Sequence, residues 1–187
     1  FNQSVHNCQV HGFCYKADGD SCHMIQTAKR GDSPLCRARF ISDLAPVLLL
    51  LGAKLKLVGI TKKRELALEG FYLEDGIDRN RLEADELLTH IEIPLQLPLH
   101  ITYEKLRIRK AIDFPSVGVA VATRESKKGM EIAICYTGVN TYPTLLRFSE
   151  SDFKSRAEMI DKACEEAMRS AHPLKQDLFS PSYRREM

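Results

Sequence analysis

Four of the six cysteines, Cys8, Cys14, Cys22 and Cys36, fall within the first 36 residues of a 187-residue chain. That stretch is polar, rich in Cys, His, Gly and Asp, and has no sustained apolar period, so it cannot order itself around a hydrophobic core. A loop this long in a compact domain is usually functional. Metal–ligand bonds would supply the order that packing does not. The spacing Cys8-x5-Cys14-x7-Cys22-x13-Cys36 contains no CxxC pair and fits zinc fingers and ribbons poorly. Iron–sulfur clusters take cysteine thiolates, usually four of them. His6, His11 and His23 could instead complete a zinc site, or stand as solvated loop side chains. From spacing alone, an iron–sulfur centre, a zinc site and a metal-free loop all stay open. The chain opens at Phe1 with no charged lead and no apolar core, so no secretory signal is read and a disulfide framework is the weaker reading. Such a start reads as a fragment, a processed chain or one piece of a split protein.

Charge and hydropathy exclude several classes. Hydrophobic residues make up 44% and charged residues 28%, with a formal net charge of +2, so no nucleic-acid footprint is expected. The longest apolar run, Val47 to Leu51, is closed by Gly52. A span needs about 20 apolar residues, so no membrane crossing is expected, and a cytoplasmic location follows.

Beyond the loop the pattern becomes regular. Ser42 is read as a helix N-cap with Asp43 in the first turn, and the helix should run to Leu51 and stop at Gly52. Lys54 to Val58 alternates polar and apolar, as a half-buried strand does. Glu65 to Phe71 reads as a short strand and turn. Thr89 to Ile93 alternates too and ends at Pro94. Thr102 to Ile108 predicts a strand with Tyr103, Lys105 and Arg107 on one face. Val117 to Ala122 is apolar on both faces, which suits a buried strand, and Glu131 to Tyr136 is its expected partner. Residues 153–170 have helical spacing, with Ala157, Ile160, Ala163, Cys164, Ala167 and Met168 as the apolar face, and Pro173 sits past the end. Cys135 and Cys164 are read as small core residues. The tail from Ser180 reads as a new, cut-off segment. The fold class is α+β in two parts joined near residues 94–100.

Particular residues carry a family resemblance. Phe1-Asn2-Gln3-Ser4, Gly12-Phe13-Cys14-Tyr15-Lys16, Asp18 to His23, and Cys36 seven residues before Asp43 resemble the flavin-binding subunits of 4-hydroxybenzoyl-CoA reductases, in the xanthine oxidase family of molybdenum enzymes. Ser42-Asp43-Leu44-Ala45-Pro46 followed by Leu50-Leu51-Gly52-Ala53, Glu86 to Pro94, and Tyr103-Glu104-Lys105 continue it, as do Arg107, Arg109, Asp113 to Pro115 and Gly118 to Ala122. The implied layout is a cysteine-rich insertion over 1–41, the second half of a two-lobed FAD-binding domain of the vanillyl-alcohol-oxidase type over 42–97, and a small α+β domain of the CO dehydrogenase flavoprotein C-terminal type over 98–187. By resemblance, Cys14, Cys22 and Cys36 are three ligands of a 4Fe-4S cluster. The fourth lies upstream of Phe1, or Cys8 replaces it. Asp43, Leu88 and Lys105 are the implied FAD contacts, the lysine reaching the flavin. Arg109 and Asp113 are equally readable as a structural ion pair, and Pro173, Gln176-Asp177 and Tyr183 to Arg185 as folding or subunit contacts.

What this implies is an electron-transfer subunit carrying FAD and 4Fe-4S, with molybdopterin on a large partner subunit and 2Fe-2S on a small one. The Gly-rich, pyrophosphate-binding N-terminal half of the FAD domain does not occur in these residues, so the chain alone is expected to bind FAD weakly. Two rivals remain. One is a flavin subunit nearer xanthine or carbon monoxide dehydrogenases, without a working cluster. The other is a non-catalytic, zinc-stabilised module.

Overall fold

A computed structural model describes residues 36–95, 99–175 and 177–187. Cys14, Cys22, Cys8 and the loop histidines lie outside the described residues. The elements, in chain order, are α1 (Ala45–Leu50), β1 (Lys54–Val58), β2 (Lys63–Ala67), β3 (Leu87–Glu92), β4 (His100–Leu106), β5 (Val117–Ser126), β6 (Gly129–Thr137), β7 (Thr144–Ser149), α2 (Arg156–Ser170) and α3 (Pro181–Glu186). They form a mixed α+β fold with two antiparallel sheets, β2-β1-β3 and β4-β5-β6-β7. No helix among the described residues is long and apolar enough to cross a membrane.

β1 is the central strand of the smaller sheet, and its alternation has the expected effect. Leu55 and Leu57 are buried, while Lys54 is exposed and Lys56 only half-buried. Lys56 reaches across to Glu65 at 3.8 Å and also pairs with Glu92. β3 does not follow its pattern. All six of its residues are exposed, where a half-buried strand was expected over Thr89 to Ile93. β3 is an edge strand of the smaller sheet, which leaves Leu87 at 67% exposure and Leu88 and Ile91 only partly covered. Its pairing with β1 also slips between Lys56 and Leu57, so Thr89 is the extra residue and its hydroxyl donates to the Lys56 carbonyl at 3.1 Å.

The larger sheet is a meander. Residues at even positions of β6, Ile132, Ile134 and Tyr136, pack with Val117 under Met159 and Ala163 of α2. Cys135, on the opposite face of β6, packs instead with Leu49 of α1 and with Leu55, Leu57, Leu68 and Phe71. One short helix therefore sits between the two sheets and shares its buried leucine with both.

Several local expectations shift. α1 begins at Ala45 and not near Ser42, and Leu44 is its N-cap, so Asp43 precedes the helix rather than lying in its first turn. Ser42 still contributes, because its hydroxyl accepts the Ala45 N–H at 3.0 Å. Pro46 suits the first turn, where its missing N–H leaves no helical bond unmade. The C-terminus ends as expected. Gly52 takes φ 67, its N–H donates to the Leu49 carbonyl at 3.0 Å, and the Ala53 N–H to that of Leu48 at 3.0 Å, the paired bonds of a Schellman turn. α2 starts at Arg156, capped by Ser155, and buries Met159 and Ala163. Its inward stripe is rotated from the expected one, leaving Ile160 and Met168 at 43% exposure and Cys164 exposed, so Cys164 is not a core residue. Cys135 is, at 0% exposure. The tail is no loose end. α3 is capped by Ser180 and buries Arg184, which donates to the Gly138 carbonyl at 3.2 Å and to that of Leu174.

Candidate functional site

The residues leading into α1 are laid onto the larger sheet before the helix begins. The Phe40 N–H donates to the Asn140 carbonyl at 2.8 Å, the Gly138 N–H returns a bond to Phe40 at 2.9 Å, and the Thr137 hydroxyl donates to the Ser42 carbonyl at 3.1 Å. Arg39 is clamped to Asp177 at 2.6 Å, both side chains being buried. This fixes where Asp43 can stand. β4 passes beside it, and residues two apart on a strand share a face, so Tyr103 and Lys105 both reach it. The Tyr103 hydroxyl donates to one Asp43 oxygen at 2.9 Å, and the Lys105 ammonium donates to the other at 2.8 Å.

This cluster is a partly open polar site. The Asp43 side chain is 51% exposed and that of Lys105 19%. Leu44, at 71% exposure, adds apolar surface next to the carboxylate. Burial first, and then the hydrogen bond and charge of Asp43, push the Tyr103 phenol above its ordinary range. Tyr103 therefore remains a protonated donor through neutral pH.

The structure thus brings Asp43 and Lys105 together, although they lie 62 positions apart. Leu88 is elsewhere: it stands opposite Leu57 on β3 of the smaller sheet, half-exposed beside the Thr89 bulge. Among the described residues no hydrogen bond or ion pair ties it to the Asp43 cluster. Arg107, expected on the same strand face as Lys105, falls beyond the end of β4 and donates to the Ala111 carbonyl at 3.3 Å. Arg109 and Asp113 pair at 3.1 Å and close the β4–β5 loop, with Asp113 also accepting the Phe114 N–H at 3.0 Å. The Arg109 hydrogen bond, above all, holds the Asp113 carboxyl near 2. Tyr103 is the residue missed as a site candidate. Its signal was in the sequence, because it sits two positions before Lys105.

Cys36 is buried at 3% exposure. Its N–H donates to the Asp75 carboxylate at 3.2 Å, and its carbonyl accepts the Gly76 N–H at 2.9 Å, so the 75–76 turn seats it. Among the described residues, no group of three or more His, Cys, Asp or Glu side chains could hold a metal. One thiolate does not bind a four-iron cluster, so a cluster here depends on Cys14, Cys22 and a further ligand. Two clefts among the described residues lie away from Asp43. A cavity of about 490 Å³ runs past the end of α1 between Arg124, Glu131 and Arg147, and one of about 520 Å³ lies against Asn140 and His172.

Residues 34–96 match the FAD binding domain in molybdopterin dehydrogenase. FAD is the cofactor that this match supports, and the matched stretch includes Cys36, Asp43 and Leu88 but not Lys105. The chain also resembles solved structures. A Cu,Mo-CO dehydrogenase in its cyanide-inactivated form is 26% identical, with a TM-score of 0.65 over 78% of this chain and 51% of that one. Carbon monoxide dehydrogenase from Hydrogenophaga pseudoflava is 27% identical, with a TM-score of 0.63 over 77% and 51%. Quinoline 2-oxidoreductase from Pseudomonas putida 86, at 20% identity and a TM-score of 0.60 over 77% and 50%, bears on the fold alone. The chain spans about half the length of each of these structures. The FAD-binding stretch thus resembles the flavin subunits of molybdenum hydroxylase-type enzymes.

Proposed function

We propose that this chain forms part of the flavin and iron–sulfur subunit of a molybdenum hydroxylase-type oxidoreductase, of the 4-hydroxybenzoyl-CoA reductase kind. In this reading it works in the cytoplasm, beside a large molybdopterin subunit and a small 2Fe-2S subunit. Electron transfer then runs between FAD, 4Fe-4S, 2Fe-2S and molybdopterin. The supporting observation is that Asp43, inside the stretch that matches an FAD-binding domain, meets Lys105 of β4 at 2.8 Å.

The donor set fits a flavin. Lys105 spends one N–H on Asp43 and has two more to offer an acceptor, Asp43 can accept from a ribityl O–H or a ring N–H, and Leu44 offers apolar surface. Leu88, exposed at a bulge, offers the same from the other sheet. Bound FAD supplies redox chemistry at its isoalloxazine. The chain's own part is electrostatic. The Lys105 ammonium favours a ligand that gains negative charge on reduction, and Asp43, held between Tyr103 and Lys105, keeps that ammonium in place.

Cys14, Cys22 and Cys36 are the proposed cluster ligands, with Cys36 already seated by the 75–76 turn. A second reading is favoured by the 26–27% identity to carbon monoxide dehydrogenases: a flavin subunit of that kind without a working 4Fe-4S cluster. Iron, labile sulfide and flavin analysis of the anaerobically purified full-length flavin subunit, separated from its 2Fe-2S partner, distinguishes the two. About four irons with matching sulfide in this subunit, and loss of the broad iron–sulfur absorption in Cys14→Ser or Cys22→Ser with flavin retained, are expected. Flavin without iron selects the second reading, and zinc without sulfide overturns the cluster.

A further inference from the structure

The two oxygens of Asp43 are divided between two donors on the same strand face, Tyr103 at 2.9 Å and Lys105 at 2.8 Å. The tyrosine has a place made for it. Gly118 lies opposite Lys105 in the β4–β5 register, and a methyl group there would stand 2.7 Å from the Tyr103 hydroxyl oxygen. The missing side chain leaves the space through which the phenol reaches Asp43. Thr137, paired with Gly118 on the next strand, anchors the Ser42 carbonyl just before Asp43. A half-exposed ion pair alone would hold a lysine's flexible stem weakly. A rigid phenol with two rotatable side-chain bonds gives the carboxylate a second, directional tie.

We propose that Tyr103 is a positioning residue of the flavin site: it fixes the Asp43 carboxylate, and through it the Lys105 ammonium, in the place where a bound isoalloxazine is met. The proposal rests on the reading that Asp43 and Lys105 contact the flavin. Tyr103 acts through Asp43. Its phenol, kept protonated by burial and by the neighbouring carboxylate, serves only as a donor.

The test uses the assembled complex and measures FAD dissociation constants alongside an alkaline titration of phenolate absorbance. Tyr103→Phe keeps the ring and removes the tie, while Gly118→Ala displaces the hydroxyl without changing any of the three groups. Each is expected to weaken FAD about tenfold, as loss of a hydrogen bond to a charged group does, with the thermal midpoint of Tyr103→Phe at the wild-type value. Asp43→Asn is expected to lower the pH at which one phenol ionises. If Tyr103→Phe binds FAD like the wild type while Asp43→Ala does not, the positioning role is overturned and the flavin site stands. If FAD affinity ignores Asp43→Ala and Lys105→Met as well, while Asp43→Asn still shifts the phenol, the flavin reading itself fails and the contact is structural. Should Gly118→Ala not fold, Tyr103→Phe decides alone.

Discussion

Individual charged residues in this chain serve two different ends. Asp43, Tyr103 and Lys105 form an open cluster that can receive a ligand. Arg64 and Glu86 form a closed one. Glu86 accepts Arg64 through both oxygens, at 2.6 and 2.7 Å, and also the Glu83 N–H at 2.9 Å, with its side chain shut off from solvent. The Arg64 hydrogen bond first, then the Glu83 N–H, pull the Glu86 carboxyl from 4.5 to about 2. The folded-state value is depressed, so the stabilisation is complete above 4.5 and drains away as pH falls towards about 2. Urea midpoints followed from pH 7 downwards should fall steeply through that window in the wild type. Glu86→Gln should start lower and change less. Equal slopes in both proteins would place the acid sensitivity elsewhere.

At the scale of elements, α1 matters most because it belongs to two sheets at once. Leu49 is buried at 4% exposure among Leu55, Leu57, Leu68 and Phe71 on one side and Cys135 on the other. Leu49→Ala should cost ~2–5 kcal/mol in chemical denaturation, with both sheets losing protection together in hydrogen exchange. Separate loss of one sheet would mean that the helix serves only that sheet. Much of this level was legible in the sequence. β1, β5 and β6 announced themselves by alternation or by continuous apolar character, and Gly52 marked the end of α1. β7 was not read, because Thr144-Leu145-Leu146-Arg147-Phe148-Ser149 neither alternates strictly nor runs continuously apolar. The stripe of α2 was misjudged for a related reason. Ala, Met and Cys occur all around that helix, and only the sheet beneath it selects Met159 and Ala163. β3 shows the opposite failure, since alternation identified the strand but could not say that its apolar residues would stay exposed. Asp43 and Lys105 were each read as flavin contacts by resemblance alone, and their meeting was not read. No local period links two residues so far apart in sequence.

At the scale of the molecule, the chain is tied together across its length around the candidate site. Arg39 meets Asp177 at 2.6 Å, Asp177 accepts the Ser116 hydroxyl at 3.0 Å, and buried Arg184 closes onto Gly138. These ties hold the segment that runs from Cys36 to Asp43 against the larger sheet, and so connect the proposed cluster end of the chain with the proposed flavin end. The exposed apolar edge of β3, with Leu87 at 67% and Ile91 at 45% exposure, leaves the smaller sheet open on the side where Leu88 stands. The cation at this junction is proposed to serve a flavin. The most direct measurement is the two-electron midpoint potential of the flavin in the assembled complex, wild type against Lys105→Met. Removing an ammonium that favours the reduced, more negative flavin should lower the potential by about 30 mV for each ~1.4 kcal/mol lost. An unchanged potential, with flavin bound as tightly as before, would contradict that role for Lys105.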